Sequence, residues 1–234
     1  MKKILILLFI SYWFAGCEQL GQVVNTTGAG TGPGLTNEEV IRGLKEALTV
    51  GTNSSSAKAG QTDGFYRNAR LFIPWPPEAR QMKERLLALG FEAQVNRFEE
   101  SLNRAAEEAA KQAAPVFADA ITKMTVSDGF AILRGSDTSA TAYLRKTTYV
   151  PLKDKFKPVV KEATQKVEVT RYWSPLVTAY NRIPGVKQQD PDLDNYVTDK
   201  TIGGLMLLIA DEEIKIRRDP AARVTELLKK VFGS

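Results

Sequence analysis

From Phe91 to Met124 the apolar residues step by threes and fours without a gap: Phe91, Val95, Phe98, Leu102, Ala106, Ala109, Ala113, Val116, Ala120 and Met124. A strand would send successive side chains to opposite faces, so only an α-helix gathers such a series into one stripe. The spacing therefore predicts one long amphipathic helix over residues 91–124, kinked near Pro115. Almost every other apolar stretch has the same period. The expected fold is all-α, a single helical domain built around that central helix, with at most a minor short strand pair.

Local signals divide the rest of the chain. Thr36-Asn37-Glu38-Glu39 reads as a capping box that opens a helix carrying Val40, Ile41, Leu44, Ala47 and Leu48, which loosens near Gly51 into Thr52-Asn53-Ser54-Ser55-Ser56. Leu71-Phe72-Ile73 is the best strand candidate, ended by Pro74-Trp75-Pro76-Pro77. Pro77 suits the first helical position before Glu78–Leu89, and Gly90 the stop. Ser127 can cap a short helix that stops at Gly135. Further helices are expected over 138–147, 152–167, 171–181 and 192–215, with a last one from Pro220 whose apolar face includes Val224, Leu227, Leu228 and Val231. The apolar run Gly203–Ala210 is too short to cross a bilayer and belongs in the core.

The N-terminus carries an address. Lys2 and Lys3 precede an apolar run from Ile4 to Ala15, which has the length of a signal h-region and not of a membrane span. The run ends in Phe14-Ala15-Gly16-Cys17, which resembles the lipobox of bacterial lipoproteins, where the cysteine becomes the acylated N-terminus. The reading is therefore a signal peptide over 1–16, a flexible lipid-attached linker over 17–35 rich in Gly, Thr, Asn and Gln, and a helical domain over 36–234. Glu18 after the cysteine favours the outer membrane, facing the periplasm, by resemblance to known lipoprotein sorting. The expected partners are a membrane, through the lipid on Cys17, and an envelope ligand or protein.

Composition excludes much chemistry. Cys17 is the one cysteine and there is no histidine, so no intramolecular disulfide, Ser-His-Asp site, Cys-His site or His-containing zinc site can form. No metal and no cofactor is expected. Lys+Arg number 32 against 27 Asp+Glu, and removing Lys2 and Lys3 with the signal leaves too mild an excess to imply nucleic acid. Three short motifs have simpler readings. Ser55-Ser56-Ala57-Lys58 fits S-x-x-K, but the accompanying K-T-G is missing. Asp190-Pro191-Asp192-Leu193-Asp194 begins like a calcium loop, yet Asn195 and Thr201 stand where Gly and Glu are required, so it reads as a turn and helix cap. Pro74-Trp75-Pro76-Pro77 ends one element and starts the next.

The remaining polar candidates lie among apolar or small residues. Asn103 and Glu107, one turn apart, must find partners if a second helix packs there, either as a ligand pocket or as a hydrogen-bonded glue between helices. Arg134, Arg145 and Arg217 sit in similar settings and call for a carboxylate or phosphate, with Asp128, Glu107 or Glu213 as internal partners.

Taken in order, Asp63-Gly64-Phe65, Ile73-Pro74, Leu102-Asn103-Arg104-Ala105-Ala106-Glu107, Ile132-Leu133-Arg134-Gly135, Ala140-Thr141-Ala142-Tyr143, Tyr196-Val197-Thr198 and Ile216-Arg217-Arg218-Asp219-Pro220 resemble the bacterial family called domain of unknown function 4197. The resemblance runs from about Gly43 to Gly233 and implies a signal-bearing, helix-rich envelope protein with no assigned activity. It also singles out Asn103, Glu107, Arg134, Tyr143, Tyr196 and Arg217 as residues that could converge on a site. Three functions are expected in order of preference. The first is a non-enzymatic lipoprotein that binds a ligand or partner in an arginine- and tyrosine-lined groove. The second is a glycan-directed hydrolase using Glu107 and Asp128 as acid and base. The third is an architectural spacer without a concave polar site.

Overall fold

A computed structural model of the chain describes residues 35–189 and 192–233, apart from the side chains of Val126, Ser127, Asp128 and Thr148. The expected signal peptide, Cys17 and the expected linker through Gly34 lie outside the described residues. Among those described there are nine α-helices, two 3-10 turns and no strand. They belong to one compact unit, Thr31–Ser234.

Helix α1 (Asn37–Ala59) begins at the expected capping box: Thr36 Oγ1 accepts the Glu39 N–H at 3.2 Å and Glu39 Oε2 accepts the Thr36 N–H at 2.9 Å. The helix does not loosen at Gly51. It continues through the serines because Gly51, Thr52, Ser55 and Ser56 are buried, and a Cβ on Gly51 would already stand 3.5 Å from Glu212 Cβ on a later helix. Small polar residues here permit close packing, and tertiary contact overrides their low helix propensity.

Residues 60–76 are irregular, and Leu71–Ile73 is not a strand. A 3-10 turn (Pro77–Ala79) leads into α2 (Arg80–Ala88), and Gly90 at φ +82° makes the tight turn into α3 (Glu92–Ala110), a conformation glycine adopts without a Cβ penalty. The kink expected at Pro115 is a break at Lys111–Gln112, after which α4 (Ala113–Thr122) continues the stripe. Pro115 has no N–H to offer the Lys111 carbonyl, and its ring crowds that carbonyl, so the break falls four residues upstream of it.

Helix α5 (Val126–Leu133) follows, with Ser127 in its first turn. The two segments expected over 138–147 and 152–167 are one helix, α6 (Ser139–Lys166), which runs through Pro151 and Pro158. Burial of Leu144, Leu152, Phe156 and Val160 along its length offsets the hydrogen bonds the prolines cannot make. Then come α7 (Val169–Asn181), α8 (Leu193–Arg218), a 3-10 turn (Pro220–Ala222) and α9 (Glu226–Phe232). Asp192 caps α8 by accepting the Asn195 N–H at 3.0 Å, the helix cap expected there; Asp190 and Pro191 lie outside the described residues. Val224 is exposed between the last turn and α9, off the apolar face expected to include it.

Helix α3 is central, packing on α6, α7 and α8, while α1 joins α8, α4, α5 and α9. Trp75, from the irregular segment, enters the core edge-on to Phe98 of α3 at 4.8 Å and to Trp173 of α7 at 5.6 Å, with Phe98 stacked on Trp173 at 4.6 Å. Such ring pairs contribute about 0.5–1.5 kcal/mol each beyond their buried area. Among the described residues, no helix is long and apolar enough to cross a membrane.

Candidate functional site

An irregular segment crossing a core leaves backbone groups that need partners. Three of the polar residues singled out from sequence supply them for residues 63–75. Asn103 on α3 behaves like a neighbouring strand: its Oδ1 accepts the Ile73 N–H at 2.8 Å, and its Nδ2 donates to the Ile73 carbonyl at 3.0 Å and the Glu99 carbonyl at 2.8 Å. Glu107, one turn on, accepts the N–H groups of Phe65 and Tyr66 on Oε1, both at 3.1 Å, and Arg104 Nη1 on Oε2 at 2.8 Å. From α8, the Tyr196 hydroxyl donates to the Pro74 carbonyl at 3.0 Å. Burial, and then the charge of Glu78, push its phenol up to about 12.

Arg104 completes this clasp. It also donates to Asp63 Oδ1 at 2.8 Å and Glu100 Oε1 at 3.3 Å, and its guanidinium lies over the Tyr66 ring at 5.1 Å. Burial pulls the guanidinium down, and the hydrogen bonds to Glu107, Asp63 and Glu100 outweigh it, holding the group above its ordinary range. Glu107 therefore has both oxygens engaged by fixed donors. Asn103 and Glu107 act as glue between α3 and the segment it supports, and neither faces a groove.

A second clasp joins α5 to α6. Glu213 on α8 accepts the Ala140 N–H at 2.9 Å, the Thr141 N–H at 2.8 Å and the Thr141 hydroxyl at 2.8 Å, so one carboxylate caps the first turn of α6. Arg217, one turn later and 10% exposed, donates from Nε to Glu213 Oε1 at 3.0 Å and from Nη2 to the Ile132 carbonyl at 2.9 Å at the end of α5. The ion pair thus sets its negative end on a helix N-terminus and its positive end on a helix C-terminus, complementing both dipoles. The partnership of Arg217 with Glu213 is one of those expected from their i, i+4 spacing.

Arg134 and Arg145 do not join either clasp. Arg134 is exposed with its guanidinium 5.8 Å from the Phe130 ring centroid, and Arg145 is exposed on α6, so both are solvated and the demand for a buried anion does not arise. Asp128 has its backbone in α5, but its side chain lies outside the described residues, as does Cys17. Of the resemblance set, Arg217 borders a narrow pocket together with Glu213 and Phe232, and Tyr143 borders a wider concavity. Arg134 and Arg145 line neither.

That concavity lies between α4 and α6 and encloses about 160 Å³. Val116, Ala120, Met124, Leu152 and Tyr143 make its apolar wall, Thr147 and Pro151 continue one edge, and Asp119, Lys123 and Lys155 form the rim. Lys155 and Lys123 both approach Asp119 Oδ2, the latter at 3.5 Å. The hydrogen bond from Lys155, with the charge of Lys123, holds the Asp119 carboxyl below its ordinary range. Lys45 of α1 reaches the same end of α4, donating to the Thr122 carbonyl at 2.7 Å. The apolar wall beside convergent charges is the composition of a binding site, and the volume is that of one ring-sized group: a cavity of roughly 150 Å³ holds benzene. Two larger concavities, one of about 430 Å³ beside α7 at Trp173 and Asn181 and one of about 370 Å³ beside α3 at Arg97 and Arg104, are more open to solvent. Sequence reading missed the groove. The i, i+4 pair Asp119–Lys123 was its one local signal, and Lys155 joins them from another helix. Among the described residues, no three His, Cys, Asp or Glu side chains are grouped to hold a metal ion.

Compared with known families, residues 34–233 match the one described as a protein of unknown function, DUF4197. The chain belongs to that family. Its match spans both clasps and the groove, so the DUF4197 domain is the whole described helical unit. No curated protein and no solved structure matches the chain.

Proposed function

We propose that this DUF4197 protein is a lipoprotein of the bacterial cell envelope, attached through Cys17 to the outer membrane and facing the periplasm, whose helical domain binds an apolar group of a ligand or partner protein without catalysing a reaction. The observation that carries the binding reading is the α4–α6 groove, which pairs an apolar wall with charges that are not locked into the core. Glu107 and Glu213, by contrast, are buried with both oxygens turned to backbone N–H groups and arginine, so neither is presented to a substrate. A glycan hydrolase working through Glu107 and Asp128 would need both carboxyls facing one cleft. A pure spacer would need no concave site.

Two measurements test the proposal. Mass spectrometry of the protein purified from its native membranes should find residues 1–16 removed and acyl chains on Cys17; an unprocessed chain, or a bare thiol on a soluble protein, overturns the anchoring. A photo-crosslinking amino acid at Thr147 should capture a ligand or partner in intact cells, and Ala120→Trp, which fills the groove, should abolish capture. Equal capture in Ala120→Trp, or equal capture from exposed Val224, overturns the groove as the binding site.

A further inference from the structure

We infer that the α4–α6 groove takes a fatty carboxylate, with its alkyl chain against Val116, Ala120, Met124 and Leu152 and its carboxylate held by Lys123 and Lys155. The inference rests on the groove being the binding site and adds the chemistry of its ligand.

The rim already has the form of a carboxylate site. Lys123 and Lys155, from different helices, converge on a single oxygen of Asp119, whose side chain is 43% exposed at the mouth. Asp119 thus stands where an incoming carboxylate would be held, and the stand-in belongs to the chain itself. With Lys45 anchored at the Thr122 carbonyl, Lys45, Lys123 and Lys155 gather at this end of α4 around Asp119 among the described side chains, so the mouth favours an anionic head over a neutral or cationic one. Ammonium groups on long stems also swing between acceptors at little cost, which lets Lys155 leave Asp119 for a ligand.

The wall below this rim is apolar, and its volume of about 160 Å³ has room for a short run of methylenes. Apolar chain and anionic head are therefore both provided for, in the order a fatty carboxylate presents them.

The mature chain, residues 17–234 with Cys17→Ser, carries every core side chain described above and can be titrated with decanoate and decanol below their aggregation limits, followed by amide NMR shifts. Decanoate should shift Ala120, Tyr143 and Thr147 and bind more tightly than decanol. Lys155→Gln and Lys123→Gln should each weaken decanoate about threefold, as expected for a rim ion pair, and leave decanol unchanged. Asp119→Asn, which removes the internal competitor, should tighten decanoate by about the same factor, a gain that loss of structure would not produce. Ala120→Trp should abolish both, with thermal unfolding confirming that it folds. If decanol binds as well as decanoate, or Asp119→Asn weakens the carboxylate, the inference falls while the groove survives as a binding site. If neither ligand shifts the groove, the inference also falls, and crosslinking from Thr147 separately decides whether the groove binds something else.

Discussion

Asn103 and Glu107 give buried side chains, and Tyr196 a half-buried one, to backbone groups of one irregular segment, and their substitution should be felt as lost stability. Glu107→Ala leaves the N–H groups of Phe65 and Tyr66 without an acceptor. Losing one partner of a buried pair costs about 3–5 kcal/mol, and because Arg104 keeps Asp63 and Glu100 the loss should fall nearer 2–4 kcal/mol. Equilibrium urea unfolding measures it, and a change under about 1 kcal/mol would mean the clasp contributes little. Thr201 is the opposite case: its hydroxyl is buried and has no hydrogen-bond partner among the described residues. Thr201→Val preserves shape and removes an unsatisfied group, so it should be neutral or stabilise by up to about 1 kcal/mol. A clear destabilisation in the same assay would point to a bound water that the hydroxyl serves.

Between elements, close approach is set by residues that lack bulk. A Cβ at Gly43 of α1 would meet Val231 Cγ2 of α9 at 2.6 Å, so the glycine is what lets α9 seat. Gly43→Ala should destabilise by about 1–3 kcal/mol through overpacking, and Val231→Ala, which clears the space, should make the second substitution less costly than the sum of the two singles. A double-mutant cycle by thermal unfolding reports the coupling, and simple additivity would show that α9 does not bear on Gly43. The α5–α6 joint is held by Glu213 and Arg217. Half of it could be anticipated, since their spacing on one helix is local, while the carbonyls and N–H groups they serve are 72 to 85 residues away. The groove fell outside sequence reading for the same reason: its rim needs Lys155 beside Asp119 across 36 residues of chain.

For the molecule as a whole, the absence of histidine shapes the response to pH. No imidazole titrates between about pH 5 and 8, so stability should be flat there. Hydrogen bonds from Lys230 to Glu39, Lys111 to Glu108, Lys155 to Asp119 and the Asn195 backbone to Asp192 hold these carboxyls below their ordinary range. Burial pushes Glu212 up, and its bonds from Lys58 and Lys215 outweigh that. Groups depressed in the folded state add stability that is present above the ordinary carboxylate range of about 4 and lost as pH falls through their folded values. At the alkaline end Tyr196 is raised, so its contribution is complete below about 10 and disappears toward about 12, a loss that Tyr196→Phe should remove. Urea midpoints from pH 2 to 12 test the profile; a step between 5 and 8 would contradict it.

Sequence alone determined the helical class, the capping box at Thr36 and the turn at Gly90, and offered the pairing of Glu213 with Arg217 among its alternatives, because each depends on residues within one or two helical turns. The tertiary structure decided that α1 runs through its serines, that α6 runs through two prolines, that Asn103 serves Ile73 and that α4 and α6 leave a groove between them. Those outcomes depend on which distant surfaces meet, and burial there outweighs the local preferences that a sequence displays.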